Sequence, residues 1–478
     1  MLFHPIMRHL IRNRTLALAF VALGLSAAGF SADTNDRWAR MDGILARVKA
    51  PVFPARDFTI TNYGAKAGGV ANARPAIMAA IDACAKAGGG RVVVPSGEFL
   101  CNGGIHLQGN VNLHLSEGAT IKFGGDPRDY MPVVLTRWEG IRVYNYSPLI
   151  YARGRKNIAI TGRGTLDGGC EGRGGLYKLA GKQNADRDAL WKMGAAKVPV
   201  EKRVFGEGHY LRPGGIEPYE CENVLIEGVT VTNMPFWCVH PMFCKNVTID
   251  GIRVESSVGN NDGADPDSCV DVLIQNCYFK TGDDSIAIKS GRDQDAWEAN
   301  RPAENVVIRH CIANGKLYGF AIGSEVSGGV RNVYIEDCEV RGGRAGIYAK
   351  SNPDRGGFVE NVSVRRVKIA RVNEAAIRFE GYYHGHRGEN HPTRFSDFLI
   401  EDVTCEASNN YGIYIHGQED APVEDVLMRN IKIGPVKKPF WIHNIKNARL
   451  ENVIINGEKA PATPPLTPQN EQKFNIKD

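Results

Sequence analysis

No Cys-x-x-Cys pair occurs in the 478 residues, although eleven cysteines are scattered along them. Structural zinc sites are built from closely spaced thiolates, so a zinc-held domain is not expected. Eleven is an odd number, so in an oxidising compartment at least one thiol stays unpaired or pairs between molecules. A long apolar run is missing too. Residues 16–25 are apolar but too few to span a bilayer. They follow Arg8, Arg12 and Arg14 and precede Ser26-Ala27-Ala28, the order of a secretory signal. Residues 1–32 are therefore read as a signal peptide, and the mature protein as periplasmic or secreted, free of the membrane once the signal is removed. Excess charge is also absent. The formal charge is +5, and those three arginines precede the first acid, leaving the mature chain near +2. That is no electrostatic footprint for nucleic acid.

Helical periodicity is weak over most of the chain, whereas alternation of apolar and polar residues is strong. Asn223-Val224-Leu225-Ile226 is followed by Asn246-Val247-Thr248-Ile249, Val272-Leu273-Ile274 and Asn305-Val306-Val307-Ile308. Further copies start at Asn332, Asn361, Asp397, Asp425 and Asn447, and an early one at Asn157. The central apolar marker recurs at Ile226, Ile249, Ile274, Ile308, Ile335, Val364, Ile400, Met428 and Leu450, at intervals of 22 to 36 residues. Strands that recur while the spacing varies describe a solenoid with fixed coils and variable loops. The fold expected is all-β, a right-handed parallel β-helix over residues 57–457.

The repeated Asn suits a turn ladder, its side chain bonding local backbone. Asn246 and Asn361 also fit glycosylation sequons, but the repeat favours a structural role. Cys277, Cys311 and Cys338 share one offset and read as an interior stack of small apolar groups. Residues 74–87 form an amphipathic helix with Ile77, Ile81 and Cys84 on one face, an N-terminal cap for the open end of the coil. Residues 33–56 read as an N-terminal extension or linker, residues 169–213 as a long loop beside a groove, and residues 458–478 as an irregular tail. Length alone would allow two or three domains, but solenoids grow by adding coils.

The chemistry concentrates in Asn260-Asn261-Asp262-Gly263 and Gly282-Asp283-Asp284-Ser285. Asp262 and Asp283 are 21 residues apart, a distance suited to neighbouring coils. Adjacent strands lie about 4.8 Å apart, so three carboxylates would crowd one patch. Crowding drives their pKa values apart, so one holds a proton while another is ionised. Glycosidic cleavage needs that division of labour. The competing reading is a solvated turn or a calcium site.

Four stretches carry a family resemblance: Phe236-Trp237-Cys238-Val239-His240-Pro241, then Asn260 to Ser268, then Thr281 to Asp293, then Gly323-Ser324-Glu325. Over residues 57–457 the chain resembles glycoside hydrolase family 28, the polygalacturonase family of pectin-degrading β-helices. The resemblance implies an inverting hydrolase of pectic poly- or oligosaccharide, acting in plant cell-wall degradation without a cofactor or metal. It makes Asp283 the general acid, with Asp262 and Asp284 together activating water. Inversion leads one to expect acid and base carboxyls about 6.5–9.5 Å apart. Adjacent Asp283 and Asp284 would face opposite sides of a strand, so a bend at Gly282 is expected. Substrate contacts are assigned to Asn260, His240, Arg292, Glu325, Tyr348 and Lys350. Glu325 is more like exo-acting members, and the loop at 169–213 could close one end of the groove. A monomer is expected.

Two positions depart from the family. Leu317 stands where a His is usual, and Tyr348-Ala349-Lys350 replaces Arg-Ile-Lys. Losing the Arg removes a bidentate carboxylate clamp. One explanation is a different pectic linkage, such as rhamnogalacturonan, with Tyr318 and Tyr348 stacking on a sugar. The other is a β-helix that only binds carbohydrate. A calcium-dependent β-eliminase is a further alternative. Tyr382-Tyr383-His384-Gly385-His386 reads equally as a sugar-stacking loop or as scaffold packing.

Overall fold

The computed structural model describes residues 34–384, 386–471 and 473–474. The signal segment expected over residues 1–32 lies outside the described residues. From Asp57 onward the chain coils into a right-handed parallel β-helix. The two legs of most coils join one sheet of 21 strands, and the third leg builds a separate ladder that ends in a six-stranded sheet. The apolar markers of the repeat are the register itself. Ile226 pairs with Ile249, Ile249 with Ile274, Ile274 with Ile308 and Ile308 with Ile335. The series continues through Val364, Ile400, Met428 and Leu450. All of these side chains are buried. The core is therefore a continuous apolar column, stabilised by burial of branched side chains along the axis.

The coil corners are set by asparagine. Asn157, Asn223, Asn246, Asn305, Asn332 and Asn361 adopt left-handed backbone with φ between 52° and 59°. Their amides bond the next coil rather than local backbone. Asn246 Nδ2 donates to Asn223 Oδ1 at 2.7 Å, Asn332 to Asn305 at 2.9 Å and Asn361 to Asn332 at 2.6 Å. Asn is the side chain that tolerates this backbone while both donating and accepting. Asn332→Ala should cost about 2 kcal/mol, from two lost hydrogen bonds and a strained corner. Denaturant unfolding of Asn332→Ala beside Asn332→Gly, which keeps the backbone freedom, checks this.

All eleven cysteines are buried free thiols. Cys311 N–H donates to Cys338 Sγ at 3.4 Å, as the interior stack requires. A second stack runs through Cys221, Cys244 and Cys269.

The helix α1 (Thr34–Arg47) lies inside the segment read as an extension and docks outside the large sheet. Its Trp38, Met41 and Ile44, with Val48 beyond them, pack on Leu273, Val307 and Tyr334. Trp38 Nε1 donates to Glu401 at 2.8 Å. The sequence signal for this contact is Val306-Val307-Ile308, apolar on both faces of its strand. The helix α2 (Arg74–Lys86) buries Ile77, Ile81 and Cys84 and caps the first coil as expected. Residues 169–213 are more ordered than a loop: they contain three 3₁₀ turns and the helix α3 (Asn184–Ala195).

Candidate active site

The site stands on the third leg of the coil. Its ladder runs Ile216, Val239, Ala264, Ile286, Phe320, Ile347, Ile377, Ile413 and Phe440, one residue per turn. Asp262 precedes Ala264 by two residues and Asp284 precedes Ile286 by two, so they occupy the same place on successive turns. Asp283 lies in the bend between the strands Tyr278–Thr281 and Ile286–Ile288, where strand alternation no longer applies. The bend needs Gly282, because a Cβ there would lie 1.9 Å from the Val258 carbonyl oxygen.

One oxygen from each of Asp262, Asp283 and Asp284 lies within 4.8 Å of the others. That is tighter than the spacing expected for an acid and base with water between them. Shared protons allow it, because a carboxylic acid approaches a carboxylate without charge repulsion. Asp283 is half-buried, and its carboxylate accepts from the Asp284 N–H at 3.1 Å and the Asn260 N–H at 3.3 Å. Burial, then the Asp284 charge, push its pKa up to about 6 against the pull of Lys350 and Lys289. Asp262 is pushed well above the carboxylate range, first by burial and then by Asp265 and Asp283. Asp284 is fully buried, and Lys350 Nζ donates to it at 2.7 Å. Lys289 Nζ sits 3.7 Å from Asp262, 3.7 Å from Asp265 and 3.2 Å from Glu325. Asp284 and Asp262 therefore each face an ammonium group already, a competing cation that disfavours the metal reading of these acids.

Asp262 and Asp283 open into a cavity of about 680 Å³. Its cations are Arg187, Lys289, Arg292, Arg344, Lys350 and Arg355, and its acids include Glu139 and Glu325. Glu325 is held well below the usual carboxylate range: burial opposes its charge, but Lys289, Arg292 and Arg355 outweigh it. Arg292 donates to Glu325 at 2.8 Å, and Arg355 donates to the Ser324 carbonyl at 3.0 Å. The surplus of positive charge suits an anionic sugar.

Of the residues expected to touch substrate, Asn260, Arg292, Glu325 and Lys350 line this cavity. His240 and Tyr348 do not. His240 is buried beneath it, between Glu217 at 3.4 Å and Asp267 at 3.3 Å. Burial disfavours its charge, but those two carboxylates win and raise its pKa to about 9. It is a buried imidazolium supporting Trp237, whose ring meets it edge-on at 4.8 Å. Tyr348 is buried too, packed against Tyr318 with ring centres 4.4 Å apart and covered by Tyr383. Its position on the outward column of the sheet is roofed over, which alternation alone does not reveal. Residues 382–386 divide: Tyr383 and His384 line the cavity, while Tyr382 faces away from it.

Sequence reasoning passed over Glu139, Arg187, Arg344 and Asp265. Glu139 and Arg344 come from distant turns and Arg187 from the helix α3, none with a motif of its own. Asp265 lies inside the quoted motif. Both of its oxygens are buried without a hydrogen bond, and burial, opposed by Lys289 and His240, lifts its pKa to about 7. A carboxyl raised in the folded state binds more protons there than in the unfolded chain, so its contribution to stability falls as pH rises from about 4 to about 7. Asp265→Asn should flatten that decline, which thermal melts at pH 4 and pH 7 would show.

Fold and site together define a β-helical glycoside hydrolase, in which crowded carboxylates of unequal acidity face a cationic cleft. Comparison with known proteins agrees. The family model for glycosyl hydrolases family 28 matches residues 84–452, and the chain belongs to that family, whose members invert. The chain is 38% identical to the hyperthermoactive exopolygalacturonase of Thermotoga maritima, with a TM-score of 0.85 over 88% of this chain and 97% of that one. It is 29% identical to a probable polygalacturonase of Vitis vinifera, over 74% of this chain and 69% of the relative. It is 24% identical to an exo-poly-alpha-D-galacturonosidase of Dickeya chrysanthemi, over 85% and 72% respectively.

Proposed function

We propose that the protein removes galacturonate units from the end of a pectic chain by inverting hydrolysis. The observation that carries this reading is a half-buried Asp283 with a pKa near 6, set beside two further carboxylates on the floor of a cationic cavity. Asp283 protonates the glycosidic oxygen, Asp284 takes the proton of the attacking water, and Asp262, whose burial favours its protonated form, holds that water in place. Lys350 donates to Asp284 at 2.7 Å and so fixes the orientation of that carboxylate. The guanidinium missing at Tyr348 has a counterpart in Arg344, which lines the same cavity from the preceding bend. The free-carboxylate sugar of polygalacturonan suits this set better than a neutral sugar does.

End cleavage is supported by the insertion. Gln183, Asn184, Arg187 and Trp191 wall one side of the cavity, and Trp191 stacks on Arg292 at 4.2 Å. The basic and then apolar N-terminal run supports export to the periplasm or medium, where pectic fragments are met.

The test is incubation of the purified mature protein with oligogalacturonides and rhamnogalacturonan fragments, with products read by mass spectrometry. Saturated galacturonate released from the first time point, without mid-length fragments, is expected. Unsaturated products would replace the reading with β-elimination. Products from rhamnogalacturonan alone would reassign the linkage.

A further inference from the structure

The segment around the helix α1 directs most of its polar contacts at one feature of the coil, the ladder of Asn and Asp corners. Arg37 pairs with Asp397 and donates to Asn361 at 3.3 Å. Arg47 donates at 2.8 Å to the Asp271 oxygen that also accepts from Asn305 Nδ2 at 3.0 Å. Lys49 and Asn246 exchange two bonds: the Lys49 N–H donates to Asn246 Oδ1 at 2.9 Å, and Asn246 Nδ2 donates to the Lys49 carbonyl at 2.7 Å. All four partners hold left-handed corners or stand beside one. Trp38 is clamped as well, with the Arg365 guanidinium 3.8 Å above its ring. Beyond Lys49 the chain keeps to the outside of the same sheet. Pro51 and Phe53 lie beside Asn112, Leu225 and Asp250. The Arg56 carbonyl then accepts from the Arg91 N–H at 2.8 Å and joins the first turn.

The distances fit one continuous span. From the strand Gly90–Val94 to the strand Arg394–Ser408 the register takes nine successive pairings. At about 4.8 Å each, that is about 43 Å along the axis. Four of those steps, about 19 Å, separate Asp271 from Asp397. The helix from Arg37 to Arg47 covers about 15 Å of them, and the arginine side chains reach the rest. Residues 48–56, kept extended by Pro51 and Pro54, cover about 30 Å more.

In a solenoid each turn otherwise touches only its neighbours, so an end frays without disturbing the middle. A segment tied at both ends of this run removes that independence. Its partners also come late: residues 37–49 bond side chains that lie 197 to 363 residues further along the chain. The helix has no complete surface to dock on until the strand Arg394–Ser408 has stacked.

We propose that residues 34–56 form an axial strap that docks last and couples the first turn of the coil to the turn of Arg394–Ser408, so that the two open together. The strap governs how fast the folded protein opens. It leaves turnover alone, because it lies on the large sheet while the acids stand on the third leg.

The experiment uses the full chain carrying Trp38→Ala, followed by amide hydrogen exchange with mass spectrometry and by unfolding kinetics in denaturant. Exchange should rise in the docking strands and also in Gly90–Val94 and the helix α2, at the far end of the span. The unfolding rate should rise about tenfold or more. Cleavage of an oligogalacturonide should be unchanged. Arg47→Ala, at a half-exposed side chain, probes the same coupling should Trp38→Ala fail to fold. In pulse-labelled refolding of the unsubstituted chain, Arg394–Ser408 should gain protection before α1. Faster exchange confined to the strands between 270 and 408, with the first turn unaffected, would make α1 a local cover and overturn the strap. Protection of α1 ahead of Arg394–Ser408 would overturn its docking last.

Discussion

Asp283→Asn should lower kcat on a galacturonate oligomer by about 10²–10⁴-fold while leaving KM nearly unchanged. The asparagine fills the same volume and keeps one acceptor oxygen, enough for one of the two amides, Asn260 or Asp284, that bond different oxygens of Asp283. It has no acidic proton for the leaving oxygen. Binding survives because the cationic wall of Arg187, Arg292, Arg344 and Lys350 is untouched. In the unsubstituted enzyme the same group sets the alkaline limb of the pH profile. Asp283 titrates near 6 and must be protonated to act, so kcat should fall as pH climbs past that value. Retention of more than a tenth of kcat in Asp283→Asn would remove Asp283 from the acid role.

Lys350→Met has the second large effect, and it appears in three measurements. Lys350 is buried and bonded to buried Asp284 at 2.7 Å. Removing one partner of a buried pair strands the other charge, so stability should drop by about 3–5 kcal/mol. Asp284 would also lose the partner that fixes its position, and kcat should fall with it. Lys350 also lowers the Asp283 pKa, so its removal raises that pKa further. The alkaline limb should therefore move to higher pH. A purely structural lysine would alter the melting curve and leave the limb where it was; that outcome would separate Lys350 from the proton chemistry.

The departures from the family pattern look different once the side chains are placed. Tyr348 cannot stack on a sugar, because Tyr318 and Tyr383 enclose it. Its ring instead stiffens the floor under Lys350, whose ammonium lies 5.6 Å from the ring centre. Leu317 lines the cavity directly, so an apolar side chain takes the place of the imidazole there.

Much of this was legible in the chain itself. Alternation with branched residues dictated strands, and the spacing of the apolar markers dictated coils in register, because only in-register stacking buries one face completely. The repeated Asn announced corners, and the two Asp motifs announced a carboxylate cluster on neighbouring turns. Those features are local, or repeat with the coil, so pattern suffices to find them. What only the tertiary structure decided is which outward-facing side chains meet solvent and which are covered. His240 and Tyr348 stand outward on their strands, yet other segments roof them over. Glu139, Arg187 and Arg344 reach the cavity from two turns and the helix α3, far apart in sequence. Those outcomes depend on how loops fold back on the coil, and no periodicity in the strands encodes that.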